Sequence, residues 1–316
     1  QIYAKLKPNE KSMINRYTQN SYSDPKRWPV QWNRTVELPA KEPKAGVLLL
    51  HGMSDSPYSL HAQASYLQAK GAWVVNMRMP GHGTIPSGLV EIRWQDMAAA
   101  VKIGMMHLKE KLGDKPLYIV GYSTGAPLAL NYAMAALDDD TLPRPSGLVF
   151  YSPAIGVTPV ASLAVWQGRI GHFLGMEKLA WNGIMPEYDP FKYGSFAVNA
   201  GDVVYRISNE VQKQLDQLAQ NSEKENSLPP ILSFASVVDA TVAVADTVKN
   251  LYNRLPNNNN TLVLFDVNHR YERTHLIPPK VQNSIKRLIS DKTGSHYRLD
   301  VVSNDVENPE GNMQQI

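Results

Sequence analysis

Continuous apolar runs alternate along the chain with stretches in which apolar residues recur at helical spacing. The runs at residues 46–52, 73–77 and 147–151 are bounded by glycines or polar loops, which is typical of strands buried on both faces. Between them, residues 58–70 and 94–112 carry apolar positions three and four apart, which predicts two helices. This order of strand and helix predicts an α/β fold with a mainly parallel sheet and helices on both faces.

The alternation is interrupted in the middle of the chain and returns in its last third. Residues 231–236 and 261–267 predict strands, and residues 241–254 and 279–289 predict helices. Residues 156–228 show no strand and helix alternation. They hold an apolar, aromatic-containing stretch and then a polar helix from about residue 203. We therefore predict that this segment is an inserted, mostly helical cap.

The predicted organisation has five parts, of which the cap is the third. An N-terminal extension at residues 1–45 contains tyrosines and tryptophans among polar residues, so we expect it to pack on the core. A strand is predicted within it near residues 34–38. The cap divides the core into residues 46–155 and 229–292, and a polar tail follows at residues 293–316, to which the pattern assigns no element.

The pentapeptide GYSTG at residues 121–125 stands between an apolar run at residues 116–120 and a predicted helix at residues 126–137. The pattern G-x-S-x-G between a strand and a helix is typical of a nucleophile elbow. Its glycines let strand and helix approach closely, and the strained turn holds the serine hydroxyl above the sheet. The pentapeptide also arises by chance, and a serine in an ordinary turn is the alternative interpretation. The context predicts Ser123 as a nucleophile.

A serine nucleophile needs a base that accepts its proton and an acid that orients the base. In chain order the acid and then the histidine are expected after the late strands. Asp239 follows the strand predicted at residues 231–236, where a helix N-cap is the alternative role. His269 follows the last predicted strand, and His275 in the same loop is the alternative base. The predicted catalytic residues are therefore Ser123, Asp239 and His269.

Two main-chain N–H groups, those of Met53 and Thr124, are the predicted oxyanion donors. Thr124 begins the helix after Ser123, and Met53 follows the first core strand, so both N–H groups can face the charge that develops on an attacked carbonyl. We expect His51 to hold this loop by hydrogen bonding and His82, in a glycine-flanked turn, to be structural. The histidines show no metal-ligand spacing, so no metal and no cofactor are expected.

Composition narrows the classes of function. The chain has 316 residues, of which 43% are apolar, and can bury a sizeable core. A net charge of +3 without blocks of like charge disfavours nucleic-acid binding, and no apolar run is long enough to span a bilayer. The absence of cysteine excludes disulfides, thiolate metal sites and cysteine nucleophiles. The first residue is Gln1 rather than methionine, which leaves two explanations open: removal of the leader of a periplasmic or extracellular protein, or the choice of where the expressed segment begins.

Four motifs occur in a fixed order along the two core segments. They are LHGMSDSP at residues 50–57, PGHGT at 80–84, GYSTG at 121–125 and VDATV at 238–242. Together they resemble the α/β-hydrolase superfamily, and within it the bacterial monoacylglycerol lipases and carboxylesterases, also described as serine-aminopeptidase-like hydrolases. The resemblance covers roughly residues 46–155 and 229–290.

The resemblance implies that Ser123 attacks an acyl carbon, that His269 is base and acid, and that Asp239 orients the histidine. It also implies that the N–H groups of Met53 and Thr124 form the oxyanion hole. We therefore expect an α/β-hydrolase that cleaves carboxylic esters through an acyl-enzyme, with an apolar cap that favours a fatty or aromatic acyl group. Thioesterase, acyltransferase and peptidase activities, and a non-catalytic binding protein, are the alternatives.

Overall fold

The computed structural model describes residues 14–156, 180–220, 227–237, 239, 244–255, 259–266, 297–304 and 313–315. The strands are β1 (Val36–Leu38), β2 (Ala45–Leu50), β3 (Ala72–Met77), β4 (Leu117–Tyr122), β5 (Gly147–Tyr151), β6 (Trp181–Gly183), β7 (Phe196–Ala197), β8 (Ile231–Ser236), β9 (Asn260–Asp266), β10 (Tyr297–Asn304) and β11 (Met313–Gln315). The α-helices are α1 (His61–Ala69), α2 (Trp94–Leu112), α3 (Gly125–Asp138), α4 (Val198–Ala219) and α5 (Val244–Asn250).

Nine of the described strands form one sheet in the order β1-β3-β2-β4-β5-β8-β9-β10-β11. Neighbours from β3 through β10 run parallel, whereas β1 and β11 pair antiparallel at the two edges. The register pairs Leu50 with Gly121 and Tyr122 with Tyr151, so the carboxyl ends of β2, β4 and β5 lie at one edge of the sheet. The predicted, mainly parallel α/β fold is confirmed. Ligand sites in such sheets lie beyond these carboxyl ends.

Helices cover both faces of the sheet. Alternate residues of β2 point to opposite faces and show which helices pack on each. Val47 and Leu49 pack in a cluster with Ala64 of α1, whereas Leu48 and Leu50 pack in the main core cluster with residues of α2 and α3. Side chains of α4 and α5 belong to the same main cluster. Helices therefore lie on both faces, as the sequence predicts.

The insertion between β5 and β8 contributes a short antiparallel pair, β6 and β7, and the long helix α4. One face of α4 is buried in the main core, through Val203, Ile207, Val211, Leu215 and Leu218. The helix begins at Val198, earlier than the predicted start near residue 203. The apolar part of the predicted cap at residues 157–179 lies outside the described residues, as does the helix predicted at residues 279–289.

The two ends of the chain extend the sheet beyond the predicted core. Strand β1 confirms the strand expected near residues 34–38. Strand β10 pairs parallel with β9, with Tyr297 opposite Asn260, in a region to which the sequence pattern assigned no element. In the part of the chain that the structure describes, no helix is both long and apolar enough to cross a membrane.

Candidate active site

Ser123 occupies a strained turn between β4 and α3. Its φ of 52° lies in the left-handed region, which costs a residue with a side chain on the order of 1–3 kcal/mol. Three main-chain hydrogen bonds hold the turn. The Ser123 N–H donates to the Tyr151 carbonyl at 2.9 Å, and the Ser123 carbonyl accepts from the N–H groups of Ala126 and Ala154, both at 3.1 Å. The strand, sharp turn and helix of the predicted elbow are therefore present.

The two glycines of the pentapeptide are required by close backbone approach. A Cβ added to Gly121 would lie 2.5 Å from the Gly125 carbonyl carbon, and a Cβ added to Gly125 would lie 2.2 Å from the Leu50 carbonyl oxygen. Both distances are far inside van der Waals contact. The glycines thus allow β2, β4 and the first turn of α3 to meet directly beneath Ser123.

The loop after β2 runs past the serine. A Cβ added to Gly52 would lie 3.3 Å from the Ser123 Cβ, so the next residue, Met53, is held close to the elbow. No described residue accepts a hydrogen bond from the main-chain N–H of Met53 or of Thr124. Within the described part of the chain, both predicted oxyanion donors are therefore available to a ligand. Thr124 itself is buried, and its Oγ1 has no described hydrogen-bond partner.

His51 holds the main chain of this loop, as predicted. Its Nε2 accepts a hydrogen bond from the Met79 N–H at 3.0 Å, and its Nδ1 lies 2.8 Å from the Gly52 carbonyl oxygen, to which it donates. Complete burial, and next the neighbouring His82, lower the pKa of His51 well below its usual value. The ring is therefore neutral at physiological pH and serves as a structural connection between two loops.

His82 is the second buried histidine of this region. Its Nε2 lies 2.7 Å from the Met53 carbonyl oxygen and its Nδ1 lies 2.8 Å from the Pro80 carbonyl oxygen. Burial lowers its pKa, although the carbonyl contacts act in the opposite direction. Because the Met53 carbonyl is fixed, the orientation of the following peptide is fixed too. This contact agrees with the structural role predicted for His82.

Ser123 faces a cavity of about 370 Å³ at the carboxyl edge of the sheet. Asp239 lies after β8, where its N–H donates to the Ser236 carbonyl at 3.1 Å, and it lines the same cavity. Four of the five predicted site residues are thus brought together. The fifth, His269, and its alternative His275 lie outside the described residues. The complete lining is Met53, Ser54, Asp55, Tyr122, Ser123, Thr124, Ser152, Ala154, Lys192, Phe196, Gly201, Val204 and Asp239.

One wall of the cavity carries a charge pair that sequence reasoning missed. The Lys192 Nζ lies 3.6 Å from the Asp55 Oδ1. Burial raises the pKa of Asp55, while the nearby lysine opposes that shift. Asp55 belongs to a motif that sequence analysis singled out, but no local pattern pointed to Lys192. Among the described residues, no group of three His, Cys, Asp or Glu side chains could hold a metal ion.

A serine on a strained turn from strand to helix, at the cavity edge of a mainly parallel sheet, defines the α/β-hydrolase class. The chain belongs to the serine aminopeptidase S33 family (Hydrolase_4), whose model matches residues 41–269. The superfamily resemblance seen in the sequence motifs is thereby confirmed.

Individual relatives of this chain are lipolytic enzymes. The chain is 27% identical over 135 residues to a thermostable monoacylglycerol lipase from Bacillus sp. (strain H-257), a match that covers 43% of this chain and 51% of the relative. The chain therefore spans about half the length of this curated relative.

Solved structures show the same fold at lower identity. A structure from the metagenome-derived lipolytic enzymes LipS and LipT is 17% identical, covering 82% of this chain and 98% of the other, with a TM-score of 0.56. Monoacylglycerol lipase from Paleococcus ferrophilus is 17% identical, covering 81% of this chain and 98% of the other, with a TM-score of 0.53. These likenesses concern the fold.

Proposed function

We propose that this α/β-hydrolase cleaves carboxylic esters through an acyl-enzyme formed on Ser123. Asp239 and His269 complete the catalytic set in this proposal, and the N–H groups of Met53 and Thr124 bind the oxyanion. The observation that carries the proposal is the strained Ser123 turn, which lines one cavity together with Asp239. Strain of this kind persists at functional sites because the surrounding backbone enforces it.

The roles proposed for these residues define the reaction. The Ser123 Oγ attacks the ester carbonyl carbon, its proton passes to His269, and the carbonyl oxygen becomes an oxyanion between the two main-chain N–H groups. Collapse of this intermediate breaks the bond to the alcohol oxygen, which takes the proton from His269. Water then attacks the acyl-enzyme with the same histidine as base, and the acid leaves while Ser123 regains its proton. Asp239 orients the histidine and stabilises its charged form.

The cavity has an apolar side and a polar side, which favours as substrate an ester with one apolar part and one polar part. Met53, Phe196 and Val204 give apolar surface for an acyl chain, whereas Asp55 and Lys192 form a polar wall. We therefore propose that the enzyme prefers esters with an apolar acyl group, as the sequence led us to expect. The monoacylglycerol lipase relative supports an ester as the substrate.

The proposal is tested with a short-chain nitrophenyl ester, by following nitrophenol release in the first turnover. A burst equal to the enzyme concentration indicates an acyl-enzyme. Ser123→Ala should remove the burst and lower turnover by about 10⁴-fold or more, because triad members act as a unit. Ser152→Ala is the matched control, since Ser152 lines the same cavity and also has a left-handed φ of 42°.

Loss of the burst in the Ser152 variant but not in the Ser123 variant would contradict the proposal. Absence of any hydrolysis across short and long esters would instead favour the non-catalytic binding protein.

The histidine is assigned by comparing two variants, His269→Ala and His275→Ala. Turnover should fall by several orders of magnitude only in the first variant. The reverse result would make His275 the base.

A further inference from the structure

Large apolar side chains that remain exposed are concentrated in two short segments, residues 14–34 and 184–192. Seven of the eleven exposed large hydrophobic residues in the described part of the chain lie there, whereas α1 and α2 carry only three of the others. Tyr22 is 66% exposed and Ile184 is 68% exposed. The seven are Ile14, Tyr22, Trp28, Val30, Ile184, Met185 and Tyr188. Contiguous exposed apolar area marks an interaction surface, so these two segments are where the described chain offers one.

The two segments are joined by hydrogen bonds, so their exposed side chains belong to one surface. The Arg16 N–H donates to the Glu187 carbonyl at 2.8 Å, and the Asn33 side chain donates to the Pro190 carbonyl at 2.8 Å. The Ser23 hydroxyl donates to the Tyr188 carbonyl. We call the exposed side chains of these two segments the aromatic face.

The charges on the aromatic face are separated by sign. Lys26, Arg27 and Arg34 are exposed, whereas Lys192 is paired with Asp55 at the cavity. The carboxylates of the two segments turn to main-chain N–H groups instead. Asp24 and Glu187 are buried, where Asp24 accepts from Asn20 and Lys26 and Glu187 accepts from Gly194 and Ser195. Asp189 accepts from Phe191 and Lys192. The outward charge of the aromatic face is therefore positive.

The aromatic face borders the cavity that contains Ser123. Trp28 packs edge-on against Phe191 with ring centroids 5.2 Å apart, and the next residue, Lys192, lines the cavity. Residues 14–34 precede the part of the chain that the family model matches, which starts at residue 41. The aromatic face is therefore built partly from an addition to the family fold.

We propose that the aromatic face docks on an anionic lipid bilayer. Tyrosine and tryptophan favour the headgroup region, because a ring with a polar atom fits an environment between hydrocarbon and water. Exposed Lys and Arg add attraction to anionic headgroups, roughly fivefold in partitioning for each residue close to the surface. Tyrosine, tryptophan and arginine also occur in protein interfaces, so the argument for lipid rests on charge: the described carboxylates of the two segments bind main-chain N–H groups, and the outward charge is basic. Docking is independent of the hydrolase chemistry.

The test is cosedimentation of the full chain with vesicles of phosphatidylcholine alone and of phosphatidylcholine mixed with phosphatidylglycerol. The wild-type chain should bind the mixed vesicles, and added salt should weaken this binding. The variant Tyr22→Ser/Ile184→Ser/Tyr188→Ser should bind about tenfold more weakly or worse, because it loses apolar area that would enter the interface. Lys26→Glu/Arg34→Glu should lose roughly fivefold or more for each position.

The matched control is Tyr66→Ser/Ile103→Ser/Met106→Ser, which removes three exposed apolar side chains from α1 and α2. This variant should bind as the wild-type chain does, and circular dichroism melting verifies that all variants fold. Equal loss in the control and face variants would overturn the proposal, as would failure of the wild-type chain to bind anionic vesicles. Sedimentation velocity detects self-association. A dimer that only the face variant dissociates, with vesicle binding unchanged, would assign the surface to a second copy and overturn lipid docking.

Discussion

The cavity has two walls that are held in different ways. The inner wall consists of the elbow at residues 121–125 and the loop at residues 51–55. Close backbone contacts between neighbouring strands fix it, together with the buried rings of His51 and His82. The outer wall is formed at Lys192, whose segment at residues 184–195 is held by side chains from the N-terminal segment. The buried Arg16 guanidinium donates to the Lys192 carbonyl at 3.4 Å and to the Asn33 Oδ1 at 3.1 Å.

Because the two walls are held differently, they should respond differently to mutation. At the inner wall a new Cβ is intolerable where backbones touch, and the side chains that hold it, His51 and His82, come from the nearby loops after β2 and β3. At the outer wall individual side chains carry the structure, because Arg16 also lies over the ring of Tyr193, 5.2 Å from its centroid. The position of Ser123 therefore depends on backbone geometry, whereas the position of Lys192 depends on side chains that are distant in sequence.

The largest effect is expected from Gly125→Ala. The added Cβ would lie 2.2 Å from the Leu50 carbonyl oxygen, so β2 and α3 must separate. We expect a loss of about 4 kcal/mol or more in the free energy of unfolding, measured by urea denaturation, together with loss of the nitrophenol burst. Gly183→Ala is the control, because a Cβ there meets nothing within 4 Å. Similar stability of the two variants would contradict the account of the inner wall.

A smaller effect is expected from Arg16→Met at the outer wall. The substitution keeps the aliphatic length but leaves the Asn33 Oδ1 and the Lys192 carbonyl without this donor. The free energy of unfolding should fall by about 1.5–3 kcal/mol, the usual contribution of hydrogen bonds to a charged group. The burst at Ser123 should remain, while KM should rise because Lys192 is displaced. An unchanged KM with a lost burst would show that the two walls are not independent.

Acid should weaken the inner wall. The pKa of His51 is lowered well below 6.5 in the folded chain, so below about pH 6.5 the unfolded chain binds more protons than the folded one. Stability is therefore complete above this pH and falls as the pH decreases, by up to about 1.4 kcal/mol per pH unit for one histidine. Urea denaturation between neutral and mildly acidic pH measures the slope. In His51→Gln the free energy of unfolding should depend less steeply on pH. An equal dependence in this variant and in the wild-type chain would show that His51 is not its cause.

The smallest effect is expected from Thr124→Val. The Thr124 Oγ1 is buried with no described partner, so replacing the hydroxyl by a methyl group removes an unsatisfied polar atom without changing the shape. Stability should change by no more than about 1 kcal/mol, in the stabilising direction. The burst should stay intact, because the proposed oxyanion donor is the main-chain N–H. A large loss of the burst would give the hydroxyl a role of its own.

The inner wall could be predicted from the sequence because its determinants are local. Five consecutive residues encode the elbow, and β4 and α3 on either side have the strand and helix patterns that identified them. Asp239 could be placed at the cavity because it directly follows β8 in a sheet whose carboxyl ends share one edge. The catalytic roles of Ser123, Asp239 and His269 remain predictions.

The outer wall and the C-terminal strands could not be predicted, for two physical reasons. Arg16 and Lys192 are 176 positions apart, and no local pattern records a contact at that separation. In β10, Arg298 is exposed and bonds to Asp300 at 2.8 Å, so the strand lacks the continuous apolar run of the central strands. A polar strand near the edge of a sheet is easily mistaken for a tail.

The long-range contact of Arg16 also sets an order of events during synthesis. At about 5–20 residues per second, the 176 positions that separate Arg16 from Lys192 take roughly 10–35 s to translate. Throughout that interval the guanidinium has no Lys192 carbonyl to bind, although β2, β3 and β4 are complete once residue 122 has been made. The elbow and its hydrogen-bond partners, which end at Ala154, therefore exist in the nascent chain before the contact that ties Arg16 to residue 192 can form.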